Sequence, residues 1–425
     1  MKEGEKQIPA KRNMNRSDEM KQDFRFSGIA GGIMGIDSFL FITMGYPTQY
    51  VQKYTFLDNL VSAMADLGIR CTVCYPVSIT HAVIRKEKMP PKRWVKTSTD
   101  GNTIEVYSPR IITLSNVNVP IIGKMLEIFN YRVFEHAVKR TVAKHHLRFD
   151  VAYGHFITPS ALAAVSVAKK NRCVSCLAYG ENSSYTIDGL GMKYIRRGLK
   201  GLTAVVSVST ENKKYLIENK IVEPGIIKVF PNGINSRIFY PRSKSAMRKK
   251  YNYPEDAFIV AFVGYFSEIK GSKRLSEALQ RFDDVYSIFI GSGQEVPDCE
   301  RILFQGSLVH NEIAERLSAA DVFVLPTIAE GCCNAIIEAM GCGLPVISSN
   351  RPFNDDILDD ECSIRIDTTS IDEITDAIRL LKNNVELRQK MSMAALGKAN
   401  NLSIEKRAIG IKKWIEECSI SGASD

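Results

Sequence analysis

Long apolar runs are scarce in this chain, and that scarcity is the first constraint on what it can be. Ser27–Gly45 (SGIAGGIMGIDSFLFITMG) is the one stretch that raises a membrane-span question, and it carries Asp37 and five glycines. A spanning helix needs about 18 or more consecutive apolar residues, so none is expected. The start also lacks the short basic leader and small-residue cleavage site of a secretory signal. Residues 1–34 are read as a flexible tail and Ser38–Thr43 as the first strand. Histidine is sparse, six in 425 residues. His145 and His146 sit at a basic helix end without companions at metal spacing. A dinucleotide fingerprint is missing too: GSGQEV (291–296) lacks its third glycine, which disfavours an oxidoreductase.

What is present is ample core material. With 45% apolar and 24% charged residues, a chain of 425 residues predicts two domains. Net charge is +9 overall; residues 1–230 carry +14, leaving 9 − 14 = −5 for residues 231–425. By charge alone the basic half suits nucleic acid, an anionic membrane surface or a phosphorylated acceptor. The ten cysteines scatter through apolar stretches as reduced cysteines do. Cys71/Cys74 and Cys173/Cys176 have C-x-x-C spacing but lie in strand-like runs. Residues i and i+3 of a strand point to opposite faces, so core packing is expected rather than zinc.

Short β-like runs alternate with longer amphipathic stretches, the pattern of parallel sheets with crossover helices. The first half offers strands at 39–43, 71–75, 151–155, 173–179 and 204–209. A helix is expected over Phe56–Leu67, with Leu57, Leu60, Val61, Met64 and Leu67 on one face and Gly68 closing it. Strands at 258–264, 286–291, 302–306, 321–326 and 345–349 follow, each expected to precede a helix. The intervening segment has linker composition. The expected organisation is a tail (1–34), an α/β domain (35–230), a linker (231–256), a second α/β domain (257–402), and a last helix within 403–425 that crosses back onto the first domain. Ligands belong at the carboxyl ends of the strands, in the cleft between the domains.

The most informative stretch is AEGCCNAIIEAMGCGLPVIS (329–348). Glu330 lies in a loop after a strand, and Glu338 lies eight positions later in the following helix. Between them Gly331, Cys332, Cys333, Asn334 and Ala335 bring the backbone to a helix N-terminus, where free N–H groups favour an anion such as a diphosphate. Carboxylates repel phosphate but suit sugar hydroxyls. The plainer reading is a solvated Glu330 and a Glu338 that merely pairs along its helix.

This E-x7-E spacing with EAMGCGLPVIS resembles the signature of retaining glycosyltransferases of family 4, which have the GT-B fold. The resemblance extends to VFPNGINSRIFYP (229–241), FVGYFSEIKG (262–271), FIGSGQE (289–295) and FQGSLVHNEIAERLSAADVFVLPT (304–327), in order and register. It implies two Rossmann-like domains facing across a cleft, and transfer of a hexosyl group from a nucleotide-diphosphate sugar to a glycan or lipid-linked acceptor with retention. Surface polysaccharide or glycolipid biosynthesis is the implied setting. Neither a cofactor nor a metal is implied, because cationic side chains and helix dipoles can neutralise the leaving group. No nucleic-acid partner is implied. A cytoplasmic location is expected, peripheral at an anionic inner membrane face. The basic stretches 193–200 and 124–148 would serve that face, or they are simply solvated helix surfaces.

Residue by residue, the resemblance assigns Lys270, followed by Gly271, to the donor diphosphate. It assigns Glu330 to sugar hydroxyls, Glu338 to ribose hydroxyls, and Gly264 and the 333–335 amides to the donor. His155, at a strand end, would turn its ring and carbonyl to the transferred sugar; a lone histidine there is otherwise a structural group. Gly45 and Tyr46 in MGYPTQ (44–49) would shape the acceptor pocket, Tyr46 by stacking on a sugar, unless the segment is a simple turn. Glu181 would line the cleft. One position departs from the pattern: many members carry arginine directly after the first glycine, where this chain has Tyr265. A phenol brings no charge, and Lys273 and Arg274 are the candidates to supply it. A non-catalytic GT-B subunit and a GT-B epimerase or phosphorylase are the rival readings.

Overall fold

The computed structural model describes residues 35–50, 54–114, 120–181 and 189–421. The tail read over 1–34 lies outside the described residues. The first half contains β1 (Ser38–Ile42), β2 (Arg70–Cys74), β3 (Val77–Ser78), β4 (Arg93–Thr97), β5 (Thr103–Tyr107), β6 (Arg110–Ile111), β7 (Val151–His155), β8 (Val174–Tyr179), β9 (Ala204–Ser207) and β10 (Ile227–Val229). Eight of these form one sheet in the order β10-β9-β8-β7-β1-β2-β5-β4, while β3 and β6 pair separately. Pairing is parallel except between β4 and β5. The second half contains β11 (Phe258–Val263), β12 (Val285–Ile290), β13 (Ile302–Gly306), β14 (Val322–Leu325), β15 (Val346–Ser349) and β16 (Ser363–Ile366). They run parallel in the order β13-β12-β11-β14-β15-β16.

The architecture is GT-B, two Rossmann-like α/β/α lobes, as the sequence implied. Its physical basis is double burial. Every residue of β1, β7, β14 and β15 is buried, so helices must cover both faces, and continuous apolar runs are the sequence form of that demand. The helix Thr55–Asp66 buries Leu57, Leu60, Val61 and Met64, the face read from its periodicity. The cysteine pairs divide as strand geometry requires. Cys71 and Cys176 enter the core on one face of the first sheet, while Cys74 enters the core on the other and Cys173 packs against it.

Some expectations fail. No helix follows β12, and only the three-residue 3-10 turn Pro352–Asn354 lies between β15 and β16. Residues 291–301 reach β13 without forming a helix because their backbone is already committed: Phe266 N–H donates to Ser292 O (2.8 Å) and Glu295 N–H donates to Phe266 O (3.0 Å). The hairpin β4–β5 was not anticipated, since its residues alternate exposed and half-buried along β4 and offer no apolar run. β10 is only three residues long, and β16 (SIRI) interrupts its apolar residues with a serine and an arginine and is fully buried only at its two ends. Within 231–256 the chain forms the helix Lys244–Tyr251, whose Met247 and Tyr251 pack on the second lobe's core.

Two crossings tie the lobes together. Ile234 pairs with Ser403; Ile234 N–H donates to Leu402 O (2.8 Å) and Ile404 N–H to Ile234 O (2.9 Å). The helix Ile404–Ser421 then buries Ile404, Ala408, Ile411, Ile415 and Cys418 in the first lobe's core. Trp414 adds a bond from Nε1 to Val205 O (3.2 Å). Ile411 is completely buried there, so Ile411→Ala is expected to cost about 3 kcal/mol, the middle of the range for buried large-to-small changes. Urea unfolding followed by fluorescence should show the loss in the first lobe's transition.

Candidate active site

In the second sheet the winding direction reverses between β11 and β14. The connections leave the two strands toward opposite sides, which opens a crevice at their carboxyl ends. Two loops fill it. The loop after β11 ends at Gly271, which caps the helix Ser272–Leu279 with φ of 74°. A Cβ at Gly271 would sit 2.5 Å from Pro326 O, so a side chain there would force the loops apart. The loop after β14 lies against it, with Ile328 N–H donating to Ile269 O (2.9 Å). Arg274 donates to Glu268 O (2.8 Å) and Pro326 O (2.8 Å), sewing the two loops together.

Held this way, the Lys270 ammonium contacts the Glu330 carboxylate. Thr327 Oγ1 donates to the same carboxylate oxygen (3.3 Å). Burial opposes the lysine's charge, yet Cys333 and Glu330 outweigh it and keep its pKa above the ordinary value. Beside the pair begins the helix Asn334–Gly341. Its N-cap, Cys333, makes no side-chain cap bond, which leaves first-turn N–H groups without that partner. Cys333 is buried, and Asn334 and Ala335 are half-buried. Glu338, one turn on, is half-buried and has no side-chain hydrogen bond among the described residues. Desolvation raises its pKa to about 8. Gly264 N–H is spent on Ile290 O (3.0 Å), holding the loop's start to β12.

Neither candidate for the missing arginine is free. Lys273 pairs with Asp298 (2.7 Å) and Arg274 holds loop carbonyls, while Tyr265 is 58% exposed. The charge at this site therefore rests on Lys270 and the helix N-terminus.

The first lobe presents the matching edge. His155 ends β7, and its ring packs against Phe56 (5.0 Å) and Phe156 (4.4 Å). Burial, then the charge of Arg407, lowers its pKa to about 3, so the ring is neutral; its Nδ1 is buried and has no hydrogen-bond partner among the described residues. A neutral, enclosed imidazole is a poor general base. Phe156 follows with φ of 70°, an uncommon conformation for a bulky residue. The Glu181 carboxylate stabilises that turn by accepting Ile157 N–H (3.2 Å), and Asn212 Nδ2 donates to Glu181 O (2.7 Å). The lobes touch here: a Cβ on Gly331 would lie 2.4 Å from Gly180 O. Glycine at 331 thus lets Glu330 approach the Gly180–Glu181 edge.

Gly45 and Tyr46 both line a first-lobe cavity, but Tyr46 is too buried to stack on a sugar. A Cβ on Gly45 would strike the Tyr54 ring at 2.6 Å, so the glycine makes room for Tyr54. Tyr46 is 3% exposed, tilted against Tyr75 (6.3 Å) and under the Lys96 ammonium (5.6 Å). Its ring is a wall, not a stacking platform. That wall bounds a cavity of about 740 Å³, also lined by Tyr54, Tyr75, His81, Arg85 and Asn130.

Comparison with known proteins agrees with this geometry. Residues 55–237 match the family described as Glycosyltransferase Family 4, and residues 243–397 match Glycosyl transferases group 1. This is a family 4-like GT-B glycosyltransferase. A Bacillus subtilis protein named as a teichuronic acid biosynthesis glycosyltransferase, TuaC, is 27% identical over 73% of this chain and 80% of its own length. The O-antigen biosynthesis glycosyltransferase WclY of Escherichia coli is 28% identical over 59% of this chain and 76% of its own. Among solved structures, a sucrose-phosphate synthase from Thermosynechococcus elongatus superposes with a TM-score of 0.70 at 18% identity, covering 91% of this chain and all of that one. Anabaena HepE in complex with UDP gives 0.66 at 15% identity, covering 89% and 100%.

The glycosyltransferase also carries contacts that sequence reasoning missed. Asp356 accepts bonds from Thr210 N–H (2.6 Å) and Thr210 Oγ1 (2.7 Å) across the lobes. Arg407, on the crossover helix, is buried with its guanidinium on Phe230 O (3.4 Å). Asn232 N–H reaches Cys332 Sγ (3.3 Å). None shows as periodicity or motif, because each partner lies more than 90 residues away.

Glu338 makes stability depend on pH in a definite direction. Its folded pKa lies above its unfolded one, so its contribution is complete below about pH 4.5 and is lost as pH rises through about 8. Glu338→Gln should therefore match the wild type near pH 4 and exceed it in melting temperature increasingly between pH 5 and 8.

Proposed function

We propose that this glycosyltransferase moves a hexosyl group from a nucleotide-diphosphate sugar to a glycan or lipid-linked acceptor, with retention of configuration, in surface polysaccharide or glycolipid assembly. The observation that carries the reading is the Lys270–Glu330 contact at the reversal point of the second sheet, beside an N-terminus without a side-chain cap. A diphosphate takes the ammonium and the free amides. Glu330 is then released to accept sugar hydroxyls, and Glu338 serves the ribose. As the glycosidic bond breaks, charge grows on the leaving phosphate, where Lys270 and the helix dipole stabilise it. His155 keeps its ring neutral at the sugar side, so it adds no cation against a developing oxocarbenium ion. Retention follows from front-side attack, with a phosphate oxygen taking the acceptor proton. The site offers no carboxylate pair assigned to double displacement.

TuaC and WclY, named for teichuronic acid and O-antigen biosynthesis, support a surface-polysaccharide setting. An Escherichia coli relative named as a galactosyltransferase acting on GlcNAc-diphosphoundecaprenol, 28% identical over half of this chain, supports a lipid-linked acceptor. The chain works in the cytoplasm at an anionic membrane face. No metal is required, because Lys270 and the amides supply the positive potential, and transfer is expected to survive EDTA.

Lys270→Ala and Glu330→Ala should each lower transfer by about 100-fold or more, the scale of losing one transition-state donor, with circular dichroism unchanged. Full transfer in both variants overturns the assignment. In the wild type, product NMR should show the donor's anomeric configuration preserved. A thermal-shift panel of UDP-, GDP- and ADP-sugars should single out one base by several degrees, and that shift should shrink in Lys270→Ala.

A further inference from the structure

An unbroken run of hydrogen bonds leads from the second lobe to the turn beside His155. It starts in the segment after β15. There Asn354 is fully buried and donates from Nδ2 to Ser349 O (3.1 Å) and Ser349 Oγ (2.9 Å). Arg365 donates to Ser349 O (2.8 Å) and to the Asp355 carboxylate (2.8 Å). These bonds fix the segment of Asp356 to β15, the neighbour of the strand that delivers Glu330. Asp356 then reaches across the lobes with both carboxylate oxygens, one taking Thr210 N–H and the other Thr210 Oγ1.

Thr210 opens the helix Thr210–Glu218, which Ser209 caps. Ser209 Oγ accepts Asn212 N–H (3.2 Å) and donates to Asn212 Oδ1 (2.6 Å). The other end of that amide, Nδ2, donates to Glu181 O (2.7 Å), and Glu181 Oε1 accepts Ile157 N–H (3.2 Å). Asn212 is 8% exposed, so a partner lost at either end of its amide leaves a buried polar group unpaired. The run ends one residue beyond Phe156, whose φ of 70° persists only where its surroundings hold it. His155 stands directly before, its ring against that of Phe156 (4.4 Å). Only the first link is open to solvent, because Thr210 is exposed and Asp356 half-buried. That link depends on the spacing of the lobes; every later one lies inside the first lobe. Bonds in such a network support one another, so loosening one end weakens the other.

We propose that Asn212 is a positioning residue that passes the contact between the lobes to the turn beside His155. With the lobes together, Asp356 steadies the first turn of the helix Thr210–Glu218, and Asn212 holds the Glu181 backbone whose carboxylate fixes Ile157. With the contact broken, that turn loosens and His155 loses its set place at the edge of the cleft. The second lobe thereby sets the geometry of the first lobe's half of the site. The proposal rests on the reading that transfer takes place between these lobes.

The first test is hydrogen exchange on the full chain, which needs no substrate. Asp356→Ala should speed exchange in peptides covering Ile157 about tenfold, with β11 peptides and the melting temperature unchanged. Asn212→Ala should give the same rise, and the double variant no more than either alone. No rise in Asp356→Ala, or effects that multiply to about a hundredfold, overturns the proposal. Thr210→Val should behave as Asp356→Ala does, and Thr210→Ser, which keeps the hydroxyl, as the wild type. The second test is nucleoside diphosphate release from whichever of UDP-, GDP- and ADP-glucose stabilises the chain most. Asp356→Ala and Thr210→Val should lower kcat about tenfold with donor KM unchanged, and Thr210→Ser should restore it. A loss confined to KM or to the melting temperature means that these residues only brace the fold, and overturns the proposal. Lys270→Ala should lower release yet leave exchange at Ile157 as in the wild type, so failure of the donor assignment and failure of the coupling are separately visible.

Discussion

The cleft chemistry depends on one topological constraint: β11 must pair with β12 on one side and β14 on the other. Strands wound in opposite directions cannot share their connections, so the loops at their carboxyl ends part and leave a crevice. Lys270 and Glu330 come from those two loops. Sixty residues apart in sequence, they meet because neighbouring parallel strands deliver their ends to the same height. The first sheet repeats the device at β1 and β7, which deliver Gly45 and His155. Two such crevices are held facing each other by the crossover helix, which buries its apolar face in the first lobe, together with the Thr210–Asp356 contact.

Electrostatics in the cleft follow from how little water reaches it. A buried histidine loses its proton, a half-buried glutamate holds its own to about pH 8, and a lysine stays charged only through its neighbours. These shifts are of the kind that marks functional sites. They also explain how a chain with Tyr265 in place of a second cation remains coherent. Arg274 and Lys273 are spent on the loop and on Asp298, which leaves the Lys270 ammonium and the helix N-terminus at Asn334 as the positive groups beside Glu330.

The same economy appears in the first lobe. Tyr46, Tyr54 and Tyr75 build the wall of a cavity, and its rim keeps apolar and cationic groups in contact with solvent.

The chain's own order determined more than its secondary structure. Apolar runs flanked by amphipathic stretches determined two α/β lobes, because doubly buried parallel strands allow no other pattern, and E-x7-E with its glycines pointed to the loop and helix N-terminus that meet Lys270. Local signals failed where burial was one-sided or brief, as at β4, β5, β10 and β16. They failed again after β12, where backbone pairing with a distant loop replaced the expected helix. Tertiary structure alone decided that Tyr46 is a wall, that Glu181 buttresses the turn after His155, and that Asp356 clasps Thr210. Those roles depend on what stands opposite each side chain, and no residue's neighbours in sequence specify its neighbours across a cleft.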